Sequence, residues 1–433
     1  MARIALHTLG CKLNFSETAT LARQLVGAGH TITDWEASAD VYVLNTCTVT
    51  HQAERKAHKL LRQIHRRAPH ALVVVTGCYA QLRPEPIQKE PGVALVATNA
   101  QKPYLAQAIE ALLRDQTPTL PNPNKESGWN FWLSSSGEGR TRAFLKVQDG
   151  CDYKCSFCTV PQARGPSRSA PPESVIEEAL RLAEAGFKEI VLTGINLGDY
   201  GKPHGTPFIA LLQRLEAAIP STVRRFRLSS IEPNLLSDEI LDFVANHPRW
   251  APHFHLPLQS GSDKLLRSMR RRYRRALYEN RIETIRRYFP TAGIGVDVIV
   301  GFPGETEEDF KETQRFLADL PVSYLHVFPY SERPGTPAAT LPDSVPWDQR
   351  LWRSEVLRDL SHRKRRAFAE SCLGKTLHTL IETDGEGLTE NYLRVRVENA
   401  PAGELIAVQL TGKEEEGIFE AQRVSYSVDC GVA

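Results

Sequence analysis

Short apolar runs alternate with longer amphipathic stretches along most of the chain, and the texture of that alternation changes twice. Up to about residue 118 the runs 3–8, 41–44 and 71–75 stand out, with helix-compatible sequence at 16–28 and 52–67. Strands alternating with helices predict a parallel sheet with helices packed on both faces. Residues 119–140 lose the pattern and are rich in Pro, Ser, Asn and Gly, which reads as a connector. Trp129, Phe131 and Trp132 within it are expected to pin it against a neighbouring unit. From 141 to 366 the alternation resumes, with strand candidates at 143–147, 189–193, 224–228, 253–258, 294–300 and 324–328. One of the intervening helices, 172–185, opens on Pro171-Pro172, which suits a first helical turn. Units of this kind predict a parallel sheet curled into a partial (β/α)6 barrel. From 370 to 433 short strands at 376–382, 392–397, 405–411 and 417–426 are parted by turns such as Asp384-Gly385, predicting a small antiparallel β-barrel. The expected fold is therefore α/β in three units, 1–118, 141–366 and 370–433, with a linker at 119–140.

The cysteines give this frame its chemistry. Cys151, Cys155 and Cys158 fall at i, i+4 and i+7 in one short loop directly after the first barrel strand, with Phe157 before the last. Such a loop converges three soft thiolates, which select zinc, copper(I) or an iron–sulfur cluster. Structural zinc normally takes four ligands, whereas three cysteines leave one iron of a cubic cluster open. Cys11, Cys47 and Cys78 each lie just beyond an apolar strand of the first unit. In a parallel open sheet those strand ends share one edge, where ligands bind. Gly10 and Gly77 beside two of them allow close backbone approach to a bulky inorganic ligand. A second three-thiolate site follows.

Composition narrows the setting. Of the 433 residues, 41% are apolar and 24% charged, as in an ordinary soluble globular protein, and the net charge of +2 neither demands nor excludes a nucleic-acid partner. No apolar run approaches the ~20 residues of a membrane span, and MARIALHTLG lacks the core of a signal peptide. Eight cysteines are too sparse for a disulfide scaffold, which points to the reducing cytoplasm. Cys372 and Cys430 have no companions and read as incidental thiols. Charge is distributed unevenly. Nine arginines (267, 270, 271, 272, 274, 275, 281, 286 and 287) lie within one stretch, a density that favours an anionic polymer. The helix after Cys47 carries Arg55, Lys56, Lys59, Arg62, Arg66 and Arg67, and Arg363 to Arg366 form another basic cluster. Residues 375–433 hold only five Lys/Arg against eleven Asp/Glu, so RNA contact there is expected to be local, around Arg394 and Arg396.

The loop spacing C-x3-C-x-aromatic-C resembles the signature of radical S-adenosylmethionine (SAM) enzymes. The nearly full-length pattern resembles the methylthiotransferases. It rests on Thr8-Leu9-Gly10-Cys11-Lys12-Leu13-Asn14, Asn45-Thr46-Cys47-Thr48-Val49-Thr50, Gly77-Cys78-Tyr79-Ala80-Gln81, the 151–158 loop and Leu256 to Ser262. Asp152 stands where many relatives carry Asn. The Thr-Cys-Thr-Val-Thr and Thr-Gly-Ile-Asn-Leu-Gly phrases look like the branch acting on threonylcarbamoyladenosine (t6A) beside the tRNA anticodon. The resemblance implies two 4Fe-4S clusters, one on Cys151/Cys155/Cys158 and one on Cys11/Cys47/Cys78. It implies a C-terminal TRAM-like barrel and a SAM or substrate pocket built from Phe157, Gly194, Asn196, Ser230, Glu232, Gln259, Ser260, Asp297 and Gly301. It further implies a tRNA anticodon stem-loop as partner, a reductant such as flavodoxin or ferredoxin, no membrane and a monomeric enzyme. Methylthiolation at adenine C2 would consume two SAM per turnover, and no side chain is an evident essential acid or base. Two rival readings are a non-catalytic metal-containing RNA-binding protein and an enzyme of the same chemistry acting on a protein.

Overall fold

The computed structural model describes residues 1–48, 50–122, 131–136, 141–383 and 385–424; Val49, most of the linker including Trp129, Asp384 and Cys430 lie outside the described residues. The first unit runs β1 (Arg3–Thr8), α1 (Lys12–Gly27), β2 (Thr31–Thr33), β3 (Val41–Thr46), α2 (His51–Arg67), β4 (Leu72–Gly77), α3 (Cys78–Leu82), α4 (Pro84–Gln88), β5 (Val93–Val96) and α5 (Leu105–Leu113). Its strands form a parallel sheet in the order β2-β1-β3-β4-β5. Every residue of β3 is buried, the continuous apolar texture of a strand covered on both faces. Helix α2 starts where Thr50 Oγ1 accepts from the Ala53 N–H, and buries Ala57, Leu61 and Ile64 along one side.

The second unit runs β6 (Ser134–Ser136), β7 (Arg142–Lys146), β8 (Gln148–Asp149), α6 (Val160–Arg164), β9 (Arg168–Ser169), α7 (Pro172–Glu184), β10 (Glu189–Thr193), α8 (Phe208–Ala218), β11 (Arg225–Leu228), α9 (Asp238–Asn246), β12 (His253–His255), α10 (Asp263–Ser268), α11 (Arg275–Tyr288), β13 (Gly293–Val300), α12 (Glu307–Asp319), β14 (Tyr324–Pro329) and α13 (Trp347–Glu370). Strands β7, β10 and β11 pair in parallel, as do β12, β13 and β14. Bridges Phe226 to Trp250 and Ser230 to His255 bring the two groups edge to edge. The result is the six-stranded partial barrel. Strand β6 extends it in antiparallel pairing and packs against α1, so the linker side faces the first unit. Phe131 packs on the central core and Trp132 on the core of the first unit, as aromatic pins should.

The third unit is a closed barrel of β15 (Leu377–Thr383), β16 (Glu386–Thr389), β17 (Arg394–Val397), β18 (Leu405–Glu415) and β19 (Ile418–Arg423), in the order β15-β16-β17-β19-β18. One pairing departs from the expected antiparallel pattern, since β17 and β19 run parallel. A closed ring of five strands cannot alternate direction throughout, so closure imposes one parallel pair. This barrel docks on the end of the central barrel where the strands begin. Arg227 donates to the carbonyls of Thr389 and Glu390, Arg142 pairs with Glu382 at 2.7 Å, and Tyr392 stacks on His253 with centroids 4.0 Å apart. Chemistry is thereby left to the opposite end.

Candidate active site

The strand ends of the first unit are in register, with Thr8 opposite Asn45 and Thr46 opposite Gly77. Cys11, Cys47 and Cys78 follow those ends directly. Asn14 ties two of the turns together by donating to the carbonyls of Leu9 and Thr46. Gly10, at φ +105°, could not carry a side chain, because a Cβ would lie 2.8 Å from Cys47 Cβ. Gly77, at φ +103°, would drive a Cβ to 2.3 Å from the Thr46 carbonyl. Asn99 Nδ2 donates to the Ala163 carbonyl and lies 3.7 Å from Cys78 Sγ. It thus connects this edge to α6, the helix that follows Cys158.

Both cysteine sets consequently lie at the mouth of the central barrel. In the loop, the backbone N–H of Tyr153 donates to Cys151 Sγ and that of Val160 to Cys158 Sγ, each at 3.4 Å. Arg271 Nη1 lies 3.1 Å from Cys155 Sγ. Burial pushes the Cys151 thiol up to about 11 and Cys158 up to about 12, and the neighbouring sulfurs add their repulsion. Burial also raises Cys155, against the pull of Arg271. Three thiols so crowded cannot all ionise unaided, so the loop suits a cationic centre that shares their charge.

The first cysteine set sits over a different electrostatic device. Glu17 of α1 is buried and meets Lys102 Nζ at 2.5 Å, Lys146 Nζ at 2.9 Å and Arg164 Nη1 at 3.1 Å. Asp149 takes Arg164 at 2.9 Å, Arg168 at 3.2 Å and Lys146 at 3.3 Å. Burial opposes ionisation of both carboxyls, but the surrounding cations outweigh it. They hold Glu17 well below the usual carboxylate range and bring Asp149 down to about 2. Burial likewise opposes the charge of Arg164, yet Asp149 and Glu17, with Cys78 and Cys11 beside them, hold it well above its ordinary value. Four cations here share two carboxylates. An anionic thiolate-ligated centre on Cys11, Cys47 and Cys78 fits that excess.

The nominated pocket residues divide into two groups. Asn196 Oδ1 accepts from the Glu232 N–H at 3.2 Å, and Glu232 pairs with Arg271 beside Cys155. Gly194 closes the same side, where a Cβ would lie 2.9 Å from Gln148 Oε1. Phe157, Gln259 and Asp297 instead line a cavity of about 220 Å³ together with Cys158, Thr50, Phe328, Tyr330 and Arg333. A hydrogen-bond chain links the groups: Ser230 Oγ meets His255 Nδ1 at 2.7 Å, and His255 Nε2 donates to Asp297 Oδ1 at 2.8 Å. Burial works against ionisation of Asp297, but the charge and hydrogen bond of His255 keep it below its ordinary range. Ser260 and Gly301 do not join either group. Ser260 Oγ lies buried 3.3 Å from Thr313 Oγ1 of α12, and Gly301 lies under Arg350 of α13.

Several side chains at the barrel mouth carry no mark in the sequence. His255 of β12 and His326 of β14 are isolated positions in the sequence, and only the barrel brings both beside Asp297. Arg271 stands within an arginine-rich stretch that suits an anionic polymer, yet it is buried. Others in that stretch are also occupied at home: Arg275 pairs with Glu312, Arg281 with Asp238, and Arg286 donates to the carbonyls of Pro290, Ala292 and Pro321. Arg396, expected to meet RNA, is clasped by Glu386, Glu415 and Glu420.

A three-cysteine loop over the mouth of a six-stranded partial barrel defines the radical SAM class. The Radical SAM superfamily profile matches residues 145–317, and the profile described as uncharacterized protein family UPF0004 matches residues 3–98. The threonylcarbamoyladenosine tRNA methylthiotransferase MtaB of Aquifex aeolicus is 40% identical, covering 94% of this chain and 99% of its own length. The protein of the same name from Bacillus subtilis is 39% identical over 91% of this chain and 90% of its own. The tRNA-2-methylthio-N(6)-dimethylallyladenosine synthase of Dictyoglomus thermophilum is 34% identical over 95% of this chain and 96% of its own. The chain belongs to the MtaB-like methylthiotransferase family. In fold it is similar to the radical SAM methyltransferase TsrM of Kitasatospora setae, solved with cobalamin and a [4Fe-4S] cluster, with a TM-score of 0.58 and 16% identity over 78% of this chain and 77% of that one. Among the described residues no helix is long and apolar enough to cross a membrane.

Proposed function

We propose that this chain methylthiolates C2 of N6-threonylcarbamoyladenosine at position 37 of tRNA, using two SAM per turnover. The observation that carries the reading is the meeting of two three-cysteine sets at one barrel mouth, in a chain that matches MtaB proteins nearly end to end. Cys151, Cys155 and Cys158 would hold one 4Fe-4S cluster, and Cys11, Cys47 and Cys78 the other. With SAM bound, these groups supply hydrogen-atom abstraction at an unreactive aromatic carbon and the sulfur that replaces the hydrogen.

The chain's own residues do the rest. Asn196 and Glu232 border the loop where SAM would lie, and Arg271 donates towards Cys155 Sγ while pairing with Glu232. That N–H···S contact stabilises negative charge on the loop sulfur and would tune the cluster it ligates. Phe157, Gln259 and Asp297 line the cavity that would receive the base. The Ser230–His255–Asp297 chain fixes the orientation of His255 and holds a proton on Nε2. The units 1–118, 141–366 and 370–433 would work as sulfur-carrying domain, radical domain and positional barrel. The enzyme would act as a cytoplasmic monomer reduced by flavodoxin or ferredoxin.

Mass spectrometry of tRNA nucleosides from cells with and without the gene tests the reading. The expected outcome is loss of the methylthio form of t6A with accumulation of t6A. Loss of only the methylthio isopentenyl form would reassign the branch, and no change in either would move the substrate to a protein. Cys151→Ala should abolish deoxyadenosine formation from SAM. Cys47→Ala should still form it but fail to thiolate.

A further inference from the structure

The cavity beside Cys158 contains a charged group that the fold uses only in part. Arg333 lies in the segment after β14 and is 4% exposed. Its Nη2 donates to the carboxylate of Glu54 and, at 2.6 Å, to Thr48 Oγ1, reaching across to the first unit next to Cys47. Among the described residues, its buried Nε and Nη1 have no hydrogen-bond partner. Tyr330, which lines the same cavity, also has a buried hydroxyl without one. Donors left dry in this way are costly, and each calls for a partner such as a water, an ion or a bound ligand.

The nearby acids are already engaged. Glu54 also accepts from Thr48 Oγ1 and has His51 Nδ1 at 3.7 Å, and Asp297 is held by His255. The missing partner should therefore arrive with the substrate and bring acceptor oxygens. Resting on the substrate reading above, the chemistry of the base says which oxygens these are. In adenine, C2 and C6 flank N1, so an N6 substituent lies on the ring edge of the carbon that reacts. In t6A that substituent ends in a carboxylate. A hydrocarbon arm at the same place would leave the Arg333 donors unpaired.

We propose that Arg333 receives the carboxylate of the threonylcarbamoyl arm and is a specificity-determining residue of this enzyme. Charge-assisted hydrogen bonds of this kind are worth about 1.5–3 kcal/mol, a factor of roughly 10–150 in affinity or kcat/KM.

The test uses the reconstituted full-length enzyme and two anticodon stem-loop RNAs. One carries t6A and the other its methyl amide, identical but for the lost negative charge. The wild type should bind the acid more tightly and methylthiolate it at least about 10-fold more efficiently than the amide. In Arg333→Gln that ratio should collapse towards one, chiefly through loss on the acid, and Arg333→Lys should keep an intermediate preference. The wild-type ratio stands by itself should the Gln variant fail to fold. Equal use of acid and amide by the wild type would overturn the proposal. So would an Arg333→Gln loss equal on both RNAs, which would make the residue only a tie between the two units. Should the wild type modify neither RNA but accept one carrying isopentenyladenosine, the substrate reading itself fails, and the proposal with it.

Discussion

Glu17→Gln is the most informative single change to the frame that holds the two cysteine sets together. Glu17 is 3% exposed and binds Lys102 from its own unit, with Lys146 and Arg164 from the central one. Two unit charges about 3 Å apart attract with roughly 5 kcal/mol at an effective dielectric near 20. Most of that gross attraction offsets the desolvation of the ions, so the pairs themselves contribute little net. Removing one partner is different, because the desolvation of the others stays in place. Glutamine keeps the shape and one acceptor, but turns an N–H2 towards cations and removes one of two carboxylates serving four of them. The expected loss is about 3–5 kcal/mol, the range for breaking a buried pair.

Urea unfolding of the anaerobically reconstituted protein measures this loss, and limited proteolysis shows whether the first unit has come away from the barrel. The sign of the imbalance gives a second handle. Lys102→Met removes a cation from the side in excess, so it should cost less than Glu17→Gln. The double variant should cost less than the sum of the singles, since each leaves the charge the other removes. A Glu17→Gln loss under about 1 kcal/mol, or a Lys102→Met loss equal to it, would refute the reasoning.

Three further outcomes follow from the same structure. The depressed carboxyl of Asp149 is about 2 in the folded chain against an ordinary 3.8, so its stabilisation is complete above about pH 4 and drains as pH falls towards 2; Asp149→Asn should flatten that acid limb in a pH series of urea midpoints. Tyr392 holds φ +74° and stacks on His253 under Arg227, so Tyr392→Ala should cost about 2–3 kcal/mol and render 370–424 protease-sensitive without altering deoxyadenosine formation. Arg55 and Lys59 are exposed on α2 at the same end as Cys47, so the double change to Gln should raise KM for tRNA and reduce the slope of log KM against log salt by roughly 1–2, whereas an unchanged slope would remove α2 from the RNA-binding surface.

What could be read in the chain depended on whether chemistry is carried by residue type or by pairing. Cys11, Cys47 and Cys78 were legible as one group because thiols at successive strand ends have few uses, and the parallel register brings them to one edge. The loop 151–158 was legible by spacing alone. Charged residues were not, because a sequence gives their number but not their partners. The arginines from 267 to 287 look like one basic surface, yet Arg271 is buried beside Cys155 and Glu232, with only part of the run facing solvent. Glu17 looks like a helix-surface acid, but its partners lie 85, 129 and 147 residues further along. Arg333 follows the last barrel strand with nothing local to mark it, and gains meaning only where Glu54 and Thr48 of the first unit meet the cavity beside Cys158. Burying such groups costs too much to persist without compensation from several elements at once. The residues that sequence hides are for that reason the ones that lock the two cysteine sets to a common mouth, and substitutions among them should disturb coupling between the units before they disturb either unit alone.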